Sequence, residues 1–472
     1  MALLIPIAVF QGGCPDGGAN NNERGFGTDP GGVRLGIGDI AVSAQGDYIV
    51  FNAEGTLAVG WNDTGEVELL PLTEPTRLAF AHESDVVYVG SLEDGRVHAI
   101  DLIHKKRLWS VEINTVSVTA LSLVVSPDDR RLLITSVDEV TVMDTTTRRP
   151  IHESTLERRV HDAVILPDGE RAMIVGRHQW LPSEDEPTTP IRIIDLDDGE
   201  SRDFTVPNCS DRVALTPDSQ HALLAPTTCN QDPVSIIDLS PGEEHFVRHL
   251  PGFGPVAMAS DGVRAVAFLD MHLIDESLFD SPDQIPSTHP DAPRYHLMVI
   301  NTKTFAYTFH EVGDELPRYT ISPDGQVLLV DSTRWNAETA QYARLFSLDD
   351  GQFKNISGPQ VMLNNFVLTT NSDYAYALYD GIFEVDEEID EPGQPVVDIR
   401  NRLFEIDIKA AEVRVIETSF TPTNINLSPT NKLLYLRRNE QNICVFSLGT
   451  ETCTANFQIE IDVEFPESEE LL

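Results

Sequence analysis

Arginine and aspartate recur at one position of this chain, near the start of successive short apolar strands, and residues of these types could bind a ligand. Aligning the strands on the turn that follows each of them selects one residue per strand. The aligned residues are Asp39, Arg77, Ser122, Asp162, Arg212, Pro255, Arg318, Phe366 and Asn424. Because a guanidinium group binds carboxylates and phosphates through paired hydrogen bonds, the three arginines could hold an anionic ligand. In the alternative interpretation, the polar groups of this set only satisfy one another.

Other catalytic patterns are weak or missing in the sequence. His161 precedes Asp162, but consecutive residues of a strand point to opposite sides, so the two make a poor catalytic pair. The sequence has no Gly-rich phosphate loop, no Cys-x-x-Cys-His haem attachment site and no nucleophile elbow. The residue types therefore favour binding over catalysis.

Four long connections are rich in aspartate and glutamate, and two of them carry a tryptophan. They lie at 177–190, 270–294, 332–341 and 382–400, with Trp180 in the first and Trp335 in the third. A calcium site needs several converging oxygen ligands, and none of these segments has the acidic spacing of an EF-hand loop. We expect solvated acidic loops and no metal centre, with calcium as the one cofactor that they could bind. Trp180 and Trp335 could instead anchor a protein or glycan partner.

Four cysteines fall into two local pairs, Cys209 with Cys229 and Cys444 with Cys453. Each pair flanks a predicted hairpin, and this placement predicts two disulfide bonds. Four unrelated buried thiols are the alternative. Neither pair has the Cys-x-x-Cys spacing of a zinc or redox site, and two disulfides would indicate an oxidising compartment.

The hairpin between Cys444 and Cys453 has a predicted register. If Ser447 and Thr450 close a two-residue loop as a hydrogen-bonded pair, Cys444 and Cys453 lie directly opposite each other without hydrogen bonds between them. A disulfide fits such a close pair.

A unit of about 40 residues, the length of a propeller blade, recurs nine times along the chain. Its first landmark is a tight turn between two apolar strands, as in Ser126-Pro127-Asp128-Asp129 and Ser322-Pro323-Asp324-Gly325. Its second landmark, as in Ile194-Asp195-Leu196, ends a third strand with a short polar residue that caps the next turn. Four short strands per unit are typical of a β-propeller blade.

One unit resembles the YVTN-type repeats of bacterial exported β-propellers. The resemblance lies in Val86-Val87-Tyr88-Val89-Gly90, in Val97-His98-Ala99-Ile100-Asp101 and in Leu123-Val124-Val125-Ser126-Pro127-Asp128, and similar units extend over residues 39–457. It implies an all-β fold with a single β-propeller. It leaves the function open, because that group includes surface-layer proteins, binding proteins, haem-carrying relatives and lactone hydrolases.

We expect about eight blades, although nine units are counted, because propellers usually have four to eight. One unit would then be degenerate or shared in closing the ring. Val33 to Ile37 or the alternating tail Phe457 to Phe465 could supply a closing outer strand.

The long loops favour a binding or scaffold module. In a blade, the connections from the second to the third strand and from the fourth strand to the next blade share one face, so all four long loops would meet a partner there. A ligand could also bind at the channel mouth, at Asp39, Arg77, Asp162, Arg212, Arg318 and Asn424. The alternatives are a metal-dependent hydrolase of the lactonase type, with a cation in the central channel near Asp39, Asp162 and Asn424, and a passive structural coat.

The N-terminus resembles a bacterial lipoprotein signal in residues 1–14. A short apolar stretch is followed by Gln11-Gly12-Gly13 and by Cys14, the candidate lipidated cysteine. A plain cleaved signal and an unprocessed start are the alternatives. We expect a flexible linker over 15–32, the propeller over 33–465 and an acidic tail over 466–472. The protein would be exported to the periplasm, outer membrane or surface of a bacterium and held there by lipid.

Charge restricts the partners further. The chain has 76 acidic and 33 basic side chains and a formal charge of −43. This field repels phosphate backbones and anionic lipid surfaces, so we expect no nucleic acid and membrane contact only through a lipid anchor. No apolar run reaches the roughly 18 to 20 residues that span a bilayer.

Overall fold

The computed structural model describes residues 33–34 and most of 40–458, and its strands form nine sheets arranged as a closed ring. Segments outside the described residues include 1–32, 114–120, 178–187, 227–232, 287–292, 332–342, 357–362, 380–400 and 459–472. The predicted all-β single propeller is confirmed, and the nine repeat units are nine four-stranded blades.

Each blade is built from four consecutive antiparallel strands, which follow one another from the channel outwards. Blade 1 has β2 (Ile40–Val42), β3 (Tyr48–Ala53), β4 (Thr56–Trp61) and β5 (Val67–Thr73). Blade 2 has β6 (Pro75–Phe80), β7 (Val86–Ser91), β8 (Arg96–Asp101) and β9 (Lys106–Glu112). Blade 3 has β10 (Ser122–Val125), β11 (Arg131–Thr135), β12 (Glu139–Asp144) and β13 (Arg149–Thr155).

The next three blades follow the same order. Blade 4 has β14 (Val160–Ile165), β15 (Arg171–Gly176), β16 (Thr189–Asp195) and β17 (Ser201–Val206). Blade 5 has β18 (Arg212–Leu215), β19 (His221–Ala225), β20 (Val234–Asp238) and β21 (Phe246–Leu250). Blade 6 has β22 (Phe253–Met258), β23 (Arg264–Asp270), β24 (Tyr295–Asn301) and β25 (Tyr307–Gly313), with a 3-10 helix at Glu276–Leu278.

The last three blades complete the ring. Blade 7 has β26 (Arg318–Ile321), β27 (Val327–Asp331), β28 (Ala343–Ser347) and β29 (Phe353–Asn355). Blade 8 has β30 (Leu363–Leu368), β31 (Tyr374–Tyr379), β32 (Arg402–Asp407) and β33 (Glu412–Glu417). Blade 9 has β34 (Asn424–Leu427), β35 (Leu433–Asn439), β36 (Asn442–Ser447) and β37 (Thr452–Gln458).

The hydrophobic core consists of nine apolar clusters, each between two neighbouring blades. Successive side chains of a strand point to opposite faces, so every blade contributes to two clusters. In β7, Val87 and Val89 pack against blade 1, whereas Tyr88 packs against blade 3. The ninth cluster joins Phe51 of blade 1 to Phe457 of blade 9 and closes the ring.

Among the described residues, no strand is shared between the first and last blades, and the predicted closing outer strand is wrong for Val33 and Arg34. Residues 35–37 and 459–465 of the two predicted segments lie outside the described residues. Phe457 belongs to β37, the outer strand of its own blade. The N-terminal strand β1 (Val33–Arg34) pairs with β6, the innermost strand of blade 2. Packing of side chains across the junction therefore closes the ring.

The first turn of the repeat has the geometry that its sequence predicts. Eight blades place a residue with positive φ fourth in this turn: Gly46, Asp129, Gly169, Ser219, Gly262, Gly325, Ser372 and Asn431. The N–H of that residue donates to the carbonyl of the first residue, for instance from Asp129 to Ser126 over 2.9 Å. Ser126 Oγ also donates to Asp128 over 2.6 Å. The turn chemistry is thus local and repeats around the ring.

The second landmark caps the turn between the third and fourth strands, as predicted. Asp144 Oδ1 accepts the N–H of Thr147 over 2.6 Å, and Asp407 Oδ1 accepts the N–H of Ala410 over 2.7 Å. The hydrogen bond from Thr147 is the main reason that the pKa of Asp144 lies below its ordinary value. Ionised short carboxylates therefore stabilise this end of the blades.

In seven of these eight turns, the fourth residue also contacts the preceding blade. Asp129 accepts the N–H groups of His82 and Glu83 over 2.6 and 2.7 Å, and Ser219 Oγ accepts the N–H of Asp168 over 2.9 Å. At Gly46, Gly169 and Gly262 the contact is with a proline of the preceding blade: a Cβ on Gly46 would lie 3.1 Å from Pro429 Cδ, across the closing junction. The turns therefore form a belt of contacts on one face of the ring.

Replacing Gly262 with alanine tests this belt. Gly262 has φ +64 and a Cβ there would lie 2.5 Å from Pro217 Cγ, whereas Gly55 has φ +88 and nothing within 4 Å. We expect Gly55→Ala to lower the unfolding free energy by about 1 to 2 kcal/mol through backbone strain alone. Gly262→Ala should lose about 1 to 3 kcal/mol more through the clash. Equal denaturant midpoints for the two variants would contradict the contact.

Cys444 and Cys453 form the predicted disulfide, with Cα atoms 5.6 Å apart. The predicted hairpin register is wrong. Ser447 pairs with Thr452, so the loop has four residues and Cys453 lies opposite Phe446. A bulge between Val445 and Phe446 then shifts the register and places Cys444 opposite Asn456. The disulfide therefore joins a diagonal pair.

Removing this disulfide should loosen the outer edge of blade 9. Among the strands that the structure describes, β37 has a neighbour on one side only, and the disulfide is its covalent link to β36. In the double variant Cys444→Ala/Cys453→Ala, we expect about 2 to 3 kcal/mol less protection of β37 amides against hydrogen exchange. Amides of β33, the outer strand of blade 8, serve as the control. Unchanged exchange in β37 would show that apolar packing alone holds this strand.

Candidate functional site

The ring has two unlike faces. We call the face with the second-to-third and fourth-to-first strand connections the loop face, and the other the turn face. All four long connections join a second to a third strand: β15 to β16, β23 to β24, β27 to β28 and β31 to β32. By connectivity they therefore belong to the loop face, which makes it the candidate interaction surface.

An ion pair between the buried Asp270 and the partly exposed Arg294 closes the base of the long connection in blade 6. Arg294 donates to both carboxylate oxygens of Asp270, with Nε–Oδ1 at 3.0 Å and Nη2–Oδ2 at 2.6 Å. Burial opposes the ionisation of Asp270, but the hydrogen bonds from Arg294 and from the N–H of His272 outweigh it and hold the pKa below its ordinary value. Arg294 also stacks on the Tyr295 ring. The two ends of the connection are thereby held together.

The described part of this connection packs against the outer strand of its own blade. Phe279 is buried, with its ring centroid 5.7 Å from Phe309 and 6.4 Å from Tyr307. Tyr307 donates its hydroxyl to Gln284 Oε1 over 3.2 Å. Asp275 caps the short helix by accepting the N–H of Ser277. Several apolar and polar contacts therefore fix this loop.

The same loop presents polar side chains to solvent. His272, Asp275, Glu276 and Ser277 are exposed, while Phe279 beside them faces the core. A partner that meets this surface would contact carboxylates on a backbone that is already ordered.

Blade 2 has a second fixed feature near the loop face. His98 in β8 is fully buried, and its Nε2 lies 2.9 Å from Oδ2 of Asp94, in the connection between β7 and β8. Burial lowers the pKa of His98, and the nearby Asp94 opposes that effect. A buried neutral histidine contacting the loop carboxylate suits a structural role better than a catalytic one.

The aligned residues of the innermost strands share one register position. Arg77, Ser122, Asp162, Arg212, Arg318 and Asn424 pair with Gly90, Thr135, Val175, Ala225, Asp331 and Arg437 in turn, at the loop-face end of each second strand. The alignment made from the sequence agrees with the strand pairing for these six residues, whereas Pro255 and Phe366 lie within register shifts of β22 and β30. Asp39 lies outside the described residues, and only the backbone of Arg318 is described.

Two members of this set bond within their own strand. Asp162 Oδ1 accepts the N–H of Ala163 over 2.9 Å, and Asn424 Oδ1 accepts the N–H of Ile425 over 2.7 Å. A cation in the channel would have to share these oxygens with the backbone. In the described part of the chain, no group of three or more His, Cys, Asp or Glu side chains could hold a metal ion.

Arginines on the turn face connect neighbouring blades, and they were not predicted from the sequence. Arg131 donates to Leu196 O over 3.0 Å and to Asp197 over 2.8 Å, both in the next blade. Arg171 donates to Leu239 O over 2.7 Å. Arg264 donates to Asp349 over 2.6 Å. The sequence did contain a signal for these contacts, because each of the three arginines is the first residue of the second strand of its blade.

Several predicted residues cannot be placed. Cys14, Cys229, Trp180 and Trp335 lie outside the described residues, as do the tail and the linker. Cys209 is buried and disulfide-bonded. Among the residues that the structure does describe, no helix is long and apolar enough to cross a membrane.

Comparison with known proteins supports the fold alone. A eukaryotic initiation factor is 12% identical over 80% of this chain and 87% of its own, with a TM-score of 0.52. A dihydro-heme d1 dehydrogenase in complex with DHE is 12% identical over 81% of this chain and 75% of its own, with a TM-score of 0.50. The β-propeller domain of Myceliophteria thermophila Cps50 is 14% identical over 80% of this chain and 94% of its own. Its TM-score is 0.36, which is too low to support an argument.

No family model and no curated protein matches the chain. Because the similar structures include both an initiation factor and a dehydrogenase, the shared fold does not decide between binding and catalysis.

Replacing Arg294 with leucine tests whether the ion pair fixes the blade 6 connection. The change leaves the Asp270 carboxylate buried without its main donor, and we expect residues 271–286 to lose about 1 to 3 kcal/mol of hydrogen-exchange protection. Arg130→Leu is the matched control, since it removes an exposed ion pair: the Arg130 side chain is 75% exposed, and its Nε lies 3.6 Å from Oδ2 of Asp128. Equal hydrogen-exchange protection of residues 271–286 in both variants would show that the ion pair between Asp270 and Arg294 does not fix this connection.

Acid should weaken the ion pair between Asp270 and Arg294. Because the pKa of Asp270 is lower in the folded chain than in the unfolded chain, its stabilising effect is complete above about pH 4 and is lost as the pH falls further. Exchange measured below pH 4 should therefore loosen residues 271–286 in the wild type but change the Arg294→Leu variant little.

Proposed function

We propose that this protein is an exported, membrane-anchored β-propeller that binds a protein or glycan partner at the bacterial cell envelope through its loop face. The supporting observation is the contrast between the two faces. The four long connections all belong to the loop face, whereas the turn face consists of short turns bonded to one another. Varied loops on a rigid scaffold are where binding residues concentrate.

The anchored blade 6 connection supports a preformed surface. Asp270 and Arg294 hold its base and Phe279 holds its middle, so little conformational entropy remains to be lost on binding. Asp275 and Glu276 stay exposed on this fixed backbone. With a formal charge of −43, the protein attracts cationic groups from a distance, which favours a partner with basic side chains.

The cysteines support export. The Cys444–Cys453 bond and the disulfide-bonded Cys209 suit a chain that folds in an oxidising compartment. Cys14, after a short apolar stretch, would carry the lipid that holds the protein at the membrane.

The hydrolase alternative has less support. It needs oxygen ligands from several innermost strands around one cation, and the described candidates Asp162 and Asn424 each use one side-chain oxygen within their own strand. No observation on the described residues favours a cation in the channel over a polar ring.

Shortening the blade 6 connection tests the proposal. In the variant, a short Gly-Ser linker replaces residues 272–293, and Asp270 and Arg294 are kept. We expect the affinity for a partner captured from solubilised cell-envelope fractions to fall at least tenfold, about 1.4 kcal/mol. Cross-linking and mass spectrometry on the full-length protein would identify the partner and its contact site.

The matched control removes charge from the turn face. Asp198→Asn/Glu200→Gln changes two exposed carboxylates there and should leave capture unchanged. Loss of the partner in this control, with full binding by the shortened variant, would assign recognition to the turn face and contradict the proposal. Unchanged melting temperatures would show that both variants fold.

A further inference from the structure

Blade 2 carries one additional strand, and that strand lies on its channel side. The order of its sheet is β1-β6-β7-β8-β9, with Val33 paired to Leu78 and Arg34 paired to Arg77. Among the described residues, the other eight sheets have four strands each and begin with the innermost strand. The N-terminal segment therefore reaches the inner edge of the ring at blade 2.

The inner edge of a blade can accept such a strand. An innermost strand presents a row of backbone N–H and C=O groups to the channel, and an edge of this kind pairs with an extended segment through the backbone. A ring of nine blades encloses a wider channel than the usual four to eight, which leaves room for another strand. Pairing of this kind depends little on side chains.

The direction of β1 follows from its pairing. β6 begins at Pro75 on the loop face and ends at Phe80 next to a first turn on the turn face. β1 is antiparallel to β6, so it runs towards the loop face. β2 starts there at Ile40, as the innermost strand of blade 1. The N-terminal end of β1 is thus directed at the turn face.

We propose that the chain threads its own ring. The N-terminal segment enters the channel from the turn face, docks on the edge of β6 at Arg77 and Leu78, and emerges at the loop face to begin blade 1. The occupant of this docking edge is the segment around Val33 and Arg34, held through the backbone. Combined with the proposed function, on which this last consequence rests, threading puts the membrane anchor on the turn-face side and directs the long loops away from the membrane.

Threading also changes what the channel can bind. Arg77 is both the strand partner of Arg34 and a member of the aligned set that could hold an anion. A ligand in the channel would therefore share this part of the ring with the segment of the chain itself.

Disulfide trapping in the full-length protein tests the docking. Arg34→Cys combined with Arg77→Cys places thiols at directly paired positions, within the range that a disulfide spans. Under mild oxidation we expect a link within one chain in most molecules, seen by peptide mass mapping. Arg34→Cys with Arg212→Cys is the matched control, because Arg212 has the equivalent register position in blade 5.

The other outcomes of trapping would overturn the proposal. Failure to link 34 to 77, or equal linking of 34 to 212, would mean that the segment has no fixed site on β6. A 34–77 link found only between two chains would mean that the edge accepts a second copy, which excludes threading in one chain.

Spin-label distances test the direction. A label at Thr28→Cys is paired with one at Ile103→Cys, 58% exposed on the turn face of blade 2, or at Glu112→Cys, at the loop-face end of β9 in the same blade. Threading predicts the shorter distance to 103, and the reverse order would overturn it. Neither measurement involves a partner, so loss of threading and loss of the loop-face binding site remain distinguishable.

Discussion

Each blade of this protein has two apolar faces, and both must be covered by neighbours. Along β7, Val87 and Val89 belong to the cluster with blade 1 and Tyr88 to the cluster with blade 3, so exposing either side of the sheet would leave a core uncovered. A closed ring satisfies this constraint for every blade at once. Because the side chains in the middle of the strands pack between blades, they are not available to contact a ligand or partner. Polar chemistry is left to the strand ends and connections, where all the candidate residues lie.

The two ends of the strands have taken on different tasks. On the turn face, the short turns and the arginines at the start of second strands bond to the next blade, as Arg131 does with Asp197 and Asp129 with the N–H of His82. On the loop face, the described part of the blade 6 connection bonds to its own blade, as Asp270 does with Arg294. A connection that is fixed within one blade can change in length and sequence without disturbing its neighbours. This division explains how the long loops coexist with a regular ring.

The fold was predictable because its determinants are local. The Pro-Asp turn with a left-handed fourth residue and the capping aspartate of the third strand each need only a few consecutive residues, and both recur around the ring. The hairpin near Cys444 was mispredicted because a glycine at 449 suggested a two-residue loop. In the structure the left-handed residue is Glu451, and a bulge shifts the register. The candidate site was harder: the ends of the blade 6 connection were visible, but nothing local shows that Asp270 and Arg294 bind each other. Pairing of β1 with β6 uses the backbone, which leaves no pattern of residue types to find.

The seam between blades 9 and 1 has a further consequence. In many closed folds, the first and last repeats share strands. Here Phe51 and Phe457 pack across the junction of blades 9 and 1 in the same way as apolar residues pack between the other neighbouring blades. All four strands of each blade come from one continuous stretch of sequence. Every repeat is therefore a self-contained unit of sequence and structure. Duplicating or losing one unit would require a small change of angle between blades and no redesign of the termini. The regular junctions are therefore compatible with an uncommon number of blades such as nine.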